Sequence, residues 1–102
     1  MRGWANAYIE KLKKGESIQF RPRGNSMAPK IKSGQLVTIE PVKWEIEMGD
    51  IVLCQVNGKQ WLHKVTGERK GGASYQISNN KGHVNGWTSW TKIYGVVTEV
   101  ED

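Results

Sequence analysis

Three side chains in this sequence could do chemistry together: Ser26, His63 and Lys64. Ser26 lies in the stretch Arg23-Gly24-Asn25-Ser26-Met27-Ala28-Pro29. Gly24 and Asn25 both tolerate positive φ, so a tight turn there would turn the serine hydroxyl and its backbone N–H outward. An unassisted hydroxyl is a poor nucleophile at neutral pH and needs a base within hydrogen-bond reach. His63 and Lys64 stand side by side in Gln60-Trp61-Leu62-His63-Lys64-Val65-Thr66. Strand alternation puts Trp61, His63 and Val65 on one face and Leu62, Lys64 and Thr66 on the other, so only one of the two bases can face Ser26. Histidine titrates near 6.5 and can serve without deep burial, whereas lysine must be desolvated to come down from about 10.4. With His63 as the base, activity is expected to appear as pH rises through about 6 to 7. Taken singly, the same residues also fit a turn serine, a packed strand histidine and a solvated lysine.

The elements that would position these groups are mostly strands. The runs SIQFR, GQLVTIEP and DIVLCQV are β-like and bounded by glycine, proline or aspartate, and SYQIS and KIYGVVTEV follow later. Asn57-Gly58-Lys59 separates DIVLCQV from QWLHKVT, and Asn-Gly at that place predicts an antiparallel hairpin. ERKGG and the polar NNKGHVNGWTSW read as loops. Upstream, Trp4, Tyr8 and Leu12 recur at helical spacing, with Ala5 and Ile9 on the adjoining side, and Gly15 would end the helix. The expectation is a mainly β, mostly antiparallel domain over residues 17–102, preceded by a helical segment over 1–16 that packs by its Trp4/Tyr8/Leu12 face on the β-domain or on a partner.

Composition narrows the function classes. The 102 residues fit one domain with one modest core. Nowhere does an apolar run reach the length of about 18 residues that a membrane span needs, so no membrane association is expected and the cytoplasm is the default location. The single cysteine, Cys54, lies in the apolar run IVLCQV and reads as a buried thiol, and neither a metal nor another cofactor is expected. The net charge of +5 and five tryptophans keep nucleic-acid binding open, through exposed aromatics among Trp44, Trp61, Trp87 and Trp90. The lysines and arginines are dispersed, however, so such binding is expected to be weak.

The order SMAPKIKSGQLVTIEPV, MGDIVLCQVNGKQWLHKVTG, YQISNN and KIYGVVTEV resembles the catalytic domain of the LexA-type repressor and type I signal peptidase superfamily, over about Ser17 to Val100. Ser26-Met27-Ala28-Pro29 matches the nucleophile motif, Gly49-Asp50 a strand opening, and His63-Lys64-Val65 the segment of the base. The resemblance implies that Ser26 is the nucleophile and that His63 holds the general-base position, with Lys64 where the family usually has arginine. It further implies that Met27 packs next to the nucleophile, that Met27 and Pro29 belong to the substrate-binding side, and that small side chains are preferred next to the cleaved bond. An aspartate beyond the base, usual in histidine-type members, is missing from Ile77 to Asn85. An asparagine can orient an imidazole but cannot stabilise its cation as a carboxylate would. With Gly24 two before the nucleophile, an oxyanion hole would rest on backbone N–H groups near Ser26.

Residues 1–16 are too few for a helix-turn-helix domain with its cleavable linker, so self-cleavage and operator binding are not expected. Three functions stay open: a stand-alone serine endopeptidase acting on an extended peptide, a module of the same fold that holds a peptide or protein partner without turnover, and a nucleic-acid-binding β-domain.

Overall fold

The computed structural model describes residues 4–43 and 45–102. Helix α1 (Asn6–Lys13) is followed by β1 (Ile18–Phe20), β2 (Leu36–Pro41), β3 (Ile51–Val56), β4 (Lys59–Arg69), β5 (Ser74–Ser78), β6 (Val84–Ser89) and β7 (Ile93–Glu101). All seven strands join one sheet in the order β1-β2-β7-β3-β4-β5-β6, and every neighbouring pair is antiparallel. The expected mainly β, antiparallel architecture with a short N-terminal helix is therefore the one observed.

β3 runs through the middle of the sheet and is buried on both faces. Val52, Cys54 and Val56 join a cluster with Val65, Tyr75 and Ile77, while Leu53 points the other way into a cluster with Val37, Ile39 and the helix. That two-sided burial is why the run IVLCQV is continuously apolar rather than alternating. It also leaves Cys54 wholly enclosed, and burial pushes its thiol up to about 12.

Asn57 and Gly58 turn the β3–β4 hairpin with φ of 50° and 82°. Both values are positive, as the two central residues of a type I′ turn require. Lys59, expected in the turn, instead pairs with Val56, and the register sets Val52 opposite His63.

α1 ends as the sequence leads one to expect. Gly15 adopts φ of 85°, and the N–H groups of Gly15 and Glu16 donate to the carbonyls of Leu12 and Lys11, which is a Schellman closure. Its packing face differs in part from the one expected. Ala5, Ile9 and Leu12 are the buried residues, while Trp4 is 52% exposed and Tyr8 half-buried. The reason lies on β1: Tyr8 stacks on Phe20 (4.7 Å) at the rim of the core cluster, and the Trp4 ring meets Phe20 tilted at 5.5 Å, farther out.

Two segments read as loops are partly strand. β4 continues through Glu68 and Arg69, paired with Tyr75 and Ser74, and the turn comes only at Lys70, whose φ is 53°. Within NNKGHVNGWTSW, residues Val84–Ser89 form β6, an edge strand on β5. Polarity misleads there because an edge strand half in solvent needs few apolar side chains. β6 then bends over the hairpin: Thr88 Oγ1 donates to the Gln55 carbonyl at 2.6 Å, and a Cβ on Gly86 would meet Val56 at 3.2 Å.

Among the described residues no helix is long and apolar enough to cross a membrane. Of the tryptophans weighed for nucleic-acid contact, Trp61 lies against His63, Trp87 lies under the Arg69 guanidinium at 3.8 Å, Trp90 is 60% exposed, and Trp44 lies outside the described residues.

Candidate active site

Ser26 stands in the long connection from β1 to β2, a segment without regular structure that is tied down by hydrogen bonds at several points. Gly24 takes φ of 107°, and its N–H donates to Ser33 Oγ at 3.0 Å. Asn25, expected to share the positive φ, does not need it. Gly34 N–H donates to the Pro22 carbonyl and closes the base of the loop at 2.9 Å. Met27 anchors the loop by burying its side chain in the cluster under α1, which leaves the neighbouring Ser26 exposed.

His63 reaches Ser26 from β4. Its Nε2 lies 3.2 Å from Ser26 Oγ, and its Nδ1 lies 2.6 Å from Asn85 Oδ1. An amide oxygen only accepts, so Nδ1 carries the proton and Nε2 is left with a lone pair directed at the serine hydroxyl. The Trp61 ring stacks on the imidazole at 4.9 Å and 22°. The ring is only 5% exposed. Desolvation therefore holds its pKa below the usual histidine value, opposed by the Asn85 hydrogen bond and assisted by the positive charge His83 can carry. The imidazole is neutral at neutral pH.

Lys64 points away from Ser26 Oγ, as strand alternation requires. Its Nζ donates to Asn80 Oδ1 at 2.9 Å. Asn80 in turn donates from Nδ2 to the Ala28 carbonyl at 2.9 Å and from its backbone N–H to the Ser26 carbonyl at 2.8 Å. The β5–β6 connection thus grips the serine loop from outside, with Lys64 steadying the grip. Asn79 shapes that connection by accepting the N–H groups of Lys81 and His83 on its side chain.

Ser26, Met27 and His63 line a common groove of about 700 Å³, together with Trp61, Leu62 and Asn85. Pro29 is exposed and lies outside the groove lining. No cluster of metal-ligating side chains occurs among the described residues. A nucleophile-capable hydroxyl, a neutral imidazole with its lone pair on that hydroxyl, and an acceptor fixing the far ring nitrogen form an arrangement suited to acyl transfer. A family model described as Peptidase S24-like matches residues 5–97.

The chain belongs to the Peptidase S24-like family. That membership sets it in the LexA and signal-peptidase superfamily, which Ser26-Met27-Ala28-Pro29 and His63-Lys64-Val65 resemble in sequence. No curated protein is similar enough in sequence to be matched to it. The match begins at residue 5 and so takes in α1, which in this S24-like chain closes one side of the groove. The sequence offers an asparagine between Ile77 and Asn85 as a ring-orienting group without distinguishing which; Asn85 takes that place, and Asn80 holds the serine loop instead. Asn85 is not singled out because its strand was read as loop, although Val84, Trp87 and Thr88 are strand-favouring residues behind a Gly82 turn. Asn80 leaves no local signal, since its partners lie on distant elements.

Proposed function

We propose that this S24-like chain is a serine endopeptidase in which Ser26 is the nucleophile and His63 its general base, acting on an extended peptide laid in the groove. The observation that carries the reading is the 3.2 Å approach of His63 Nε2 to Ser26 Oγ, with Nδ1 occupied by Asn85. Ser26 Oγ attacks the peptide carbonyl as its proton passes to His63 Nε2, and the C–O bond forms while the carbonyl electrons move onto oxygen. The N–H of Ser26, which has no hydrogen-bond partner among the described residues, is the donor this reading assigns to that oxyanion. Collapse breaks the C–N bond, and the imidazolium returns its proton to the leaving amine. Water, deprotonated by His63 in the same way, then releases the acyl group.

A second reading is favoured by one observation: the partner of Nδ1 is a neutral amide, which orients the imidazole but gives little help to its cation. In that reading the groove holds a peptide and does not cut it. The two separate on a pH series of cleavage with an extended peptide library, comparing wild type with Ser26→Ala, His63→Ala and Lys64→Ala. Peptidase function expects the first two to abolish cleavage without unfolding the protein, because members of a catalytic pair act as a unit. Lys64→Ala is expected to be milder. Wild-type activity should rise with pH through a value below the usual 6.5 of histidine, lower than the sequence alone led one to expect. Turnover that survives Ser26→Ala ends the proposal, and absence of turnover at every pH favours the holding module.

A further inference from the structure

The groove runs past His63 onto a surface built by α1. Gln60 of β4 fastens the start of that helix: its Oε1 accepts the Ala5 N–H, its Nε2 donates to Asn6 Oδ1, and its carbonyl accepts the Trp4 indole N–H. Trp4 and Tyr8 are thereby held against Phe20, and all three rings line the same groove as Ser26. Trp4 is pinned by its nitrogen and by Phe20, yet about half its surface faces solvent. A large ring already immobilised gives up little conformational entropy when it covers a partner, which is the property of a contact shelf. The floor beneath is apolar, with Met27, Ile31 and Leu62 buried.

Charge narrows the occupant further. Arg21 and Arg23 are exposed at the groove, Arg21 being held in place by donating to the Gly34 carbonyl at 2.8 Å. No carboxylate is found among the described residues that line it. A planar guanidinium at the edge of an apolar trough suits a carboxylate on a chain whose apolar group lies in the trough.

We propose that the groove selects an acidic peptide with one large apolar side chain, aromatic or leucine-like, seated on the Trp4–Tyr8–Phe20 shelf, and an aspartate or glutamate near it paired with Arg23. The inference rests on the proposed function only in taking a peptide as the groove's ligand, and it adds a subsite apart from the cleaved bond itself. The test uses the full chain carrying Ser26→Ala and fluorescein-labelled ten-residue peptide pools blocked at both ends, read by anisotropy. Four pools carry, at randomised positions in a Ser/Ala background, Phe with Glu, Phe with Gln, Ala with Glu, or Ala with Gln.

The Phe/Glu pool is expected to bind tightest. Adding Trp4→Ala should weaken it about five- to tenfold while changing the Ala/Glu pool less than about twofold. Adding Arg23→Gln should bring the Glu and Gln pools together, as should raising the salt. Equal affinity for the four pools overturns the proposal, as does a Trp4→Ala effect that is the same on all of them. The comparison of pools on the Ser26→Ala protein alone decides the matter if Trp4→Ala does not fold. Wild-type cleavage of the same pools keeps the two readings apart. Selective binding without cleavage leaves this inference standing and overturns the peptidase, and cleavage without any preference does the reverse.

Discussion

Replacing Asn85 by aspartate should turn the neutral amide under His63 into a charge partner without moving the ring. The contact to Nδ1 is 2.6 Å and the imidazole is only 5% exposed, so little solvent intervenes. Opposite charges about 4 Å apart in a medium of effective dielectric about 20 attract by about 4 kcal/mol, and desolvating the new carboxylate takes part of that back. The remainder is worth about 1.4 to 3 kcal/mol, enough to raise the His63 pKa by about one to two pH units. The consequence for stability is a weaker or reversed dependence on pH. In the wild type the folded value lies below 6.5, so the unfolded chain binds more protons just under that pH. Stability contributed by the neutral ring is complete above about 6.5 and is lost as pH falls through the folded value. In Asn85→Asp the folded value is raised, so the loss of stability on acidification shrinks; where the value passes 6.5 the sign reverses and the ion pair's contribution is lost as pH rises through it. The imidazole titration can be followed by NMR in the Ser26→Ala background, where chemistry cannot interfere, and melting temperature can be recorded against pH for both proteins. A His63 titration that is unchanged or moves downward in Asn85→Asp, or a melting profile of the same slope in both, would refute the assignment of Asn85 to Nδ1.

Gly95→Ala should destabilise the fold by about 1 to 3 kcal/mol, because a Cβ there would stand 2.6 Å from Ile39 Cγ2 and 2.9 Å from the Glu40 carbonyl, and the carbonyl belongs to backbone that cannot step aside. Urea unfolding measures this, and a loss under about 0.5 kcal/mol would contradict the packing of β7 on β2 described above. Asn80→Ala should cost about 1 to 3 kcal/mol through the lost bonds to Lys64 and Ala28. Amide exchange should also quicken around Ser26 while β3 stays protected, and unchanged exchange in that loop would show that it is held by something else.

Local chemistry made much of the framework readable. Asn57-Gly58 and Gly15 announce a turn and a helix end because only certain residues accept positive φ. The pairing of Ser26 with His63 was visible through motif resemblance rather than through spacing, since nothing local links two residues 37 positions apart. The helix face was only partly legible: Leu12 is buried and Tyr8 packs at the core's rim, but Ala5 and Ile9, slight beside the rings, fill the centre while Trp4 stays half exposed against Phe20. Asn85 could not be told apart from Asn79 and Asn80 because an edge strand that exposes one side carries a loop-like composition, so its type is settled by pairing with β5 and not by its own residues.

The Asn80 clasp also sets a timetable. Its side chain joins Ala28 across 52 positions, and the imidazole reaches its orienting amide across another 22. Contacts of such span must wait for the closure of long loops, whose entropy is lost before any bond rewards it. A ribosome extends the chain from the N-terminus, so Ser26 and His63 emerge well before Asn80 and Asn85. Until those two asparagines arrive, the serine loop has no outer grip and the imidazole no fixed tautomer. The arrangement around Ser26 therefore comes into being with the last hairpin, and an unfinished chain carries the serine without its loop clasped or its imidazole oriented.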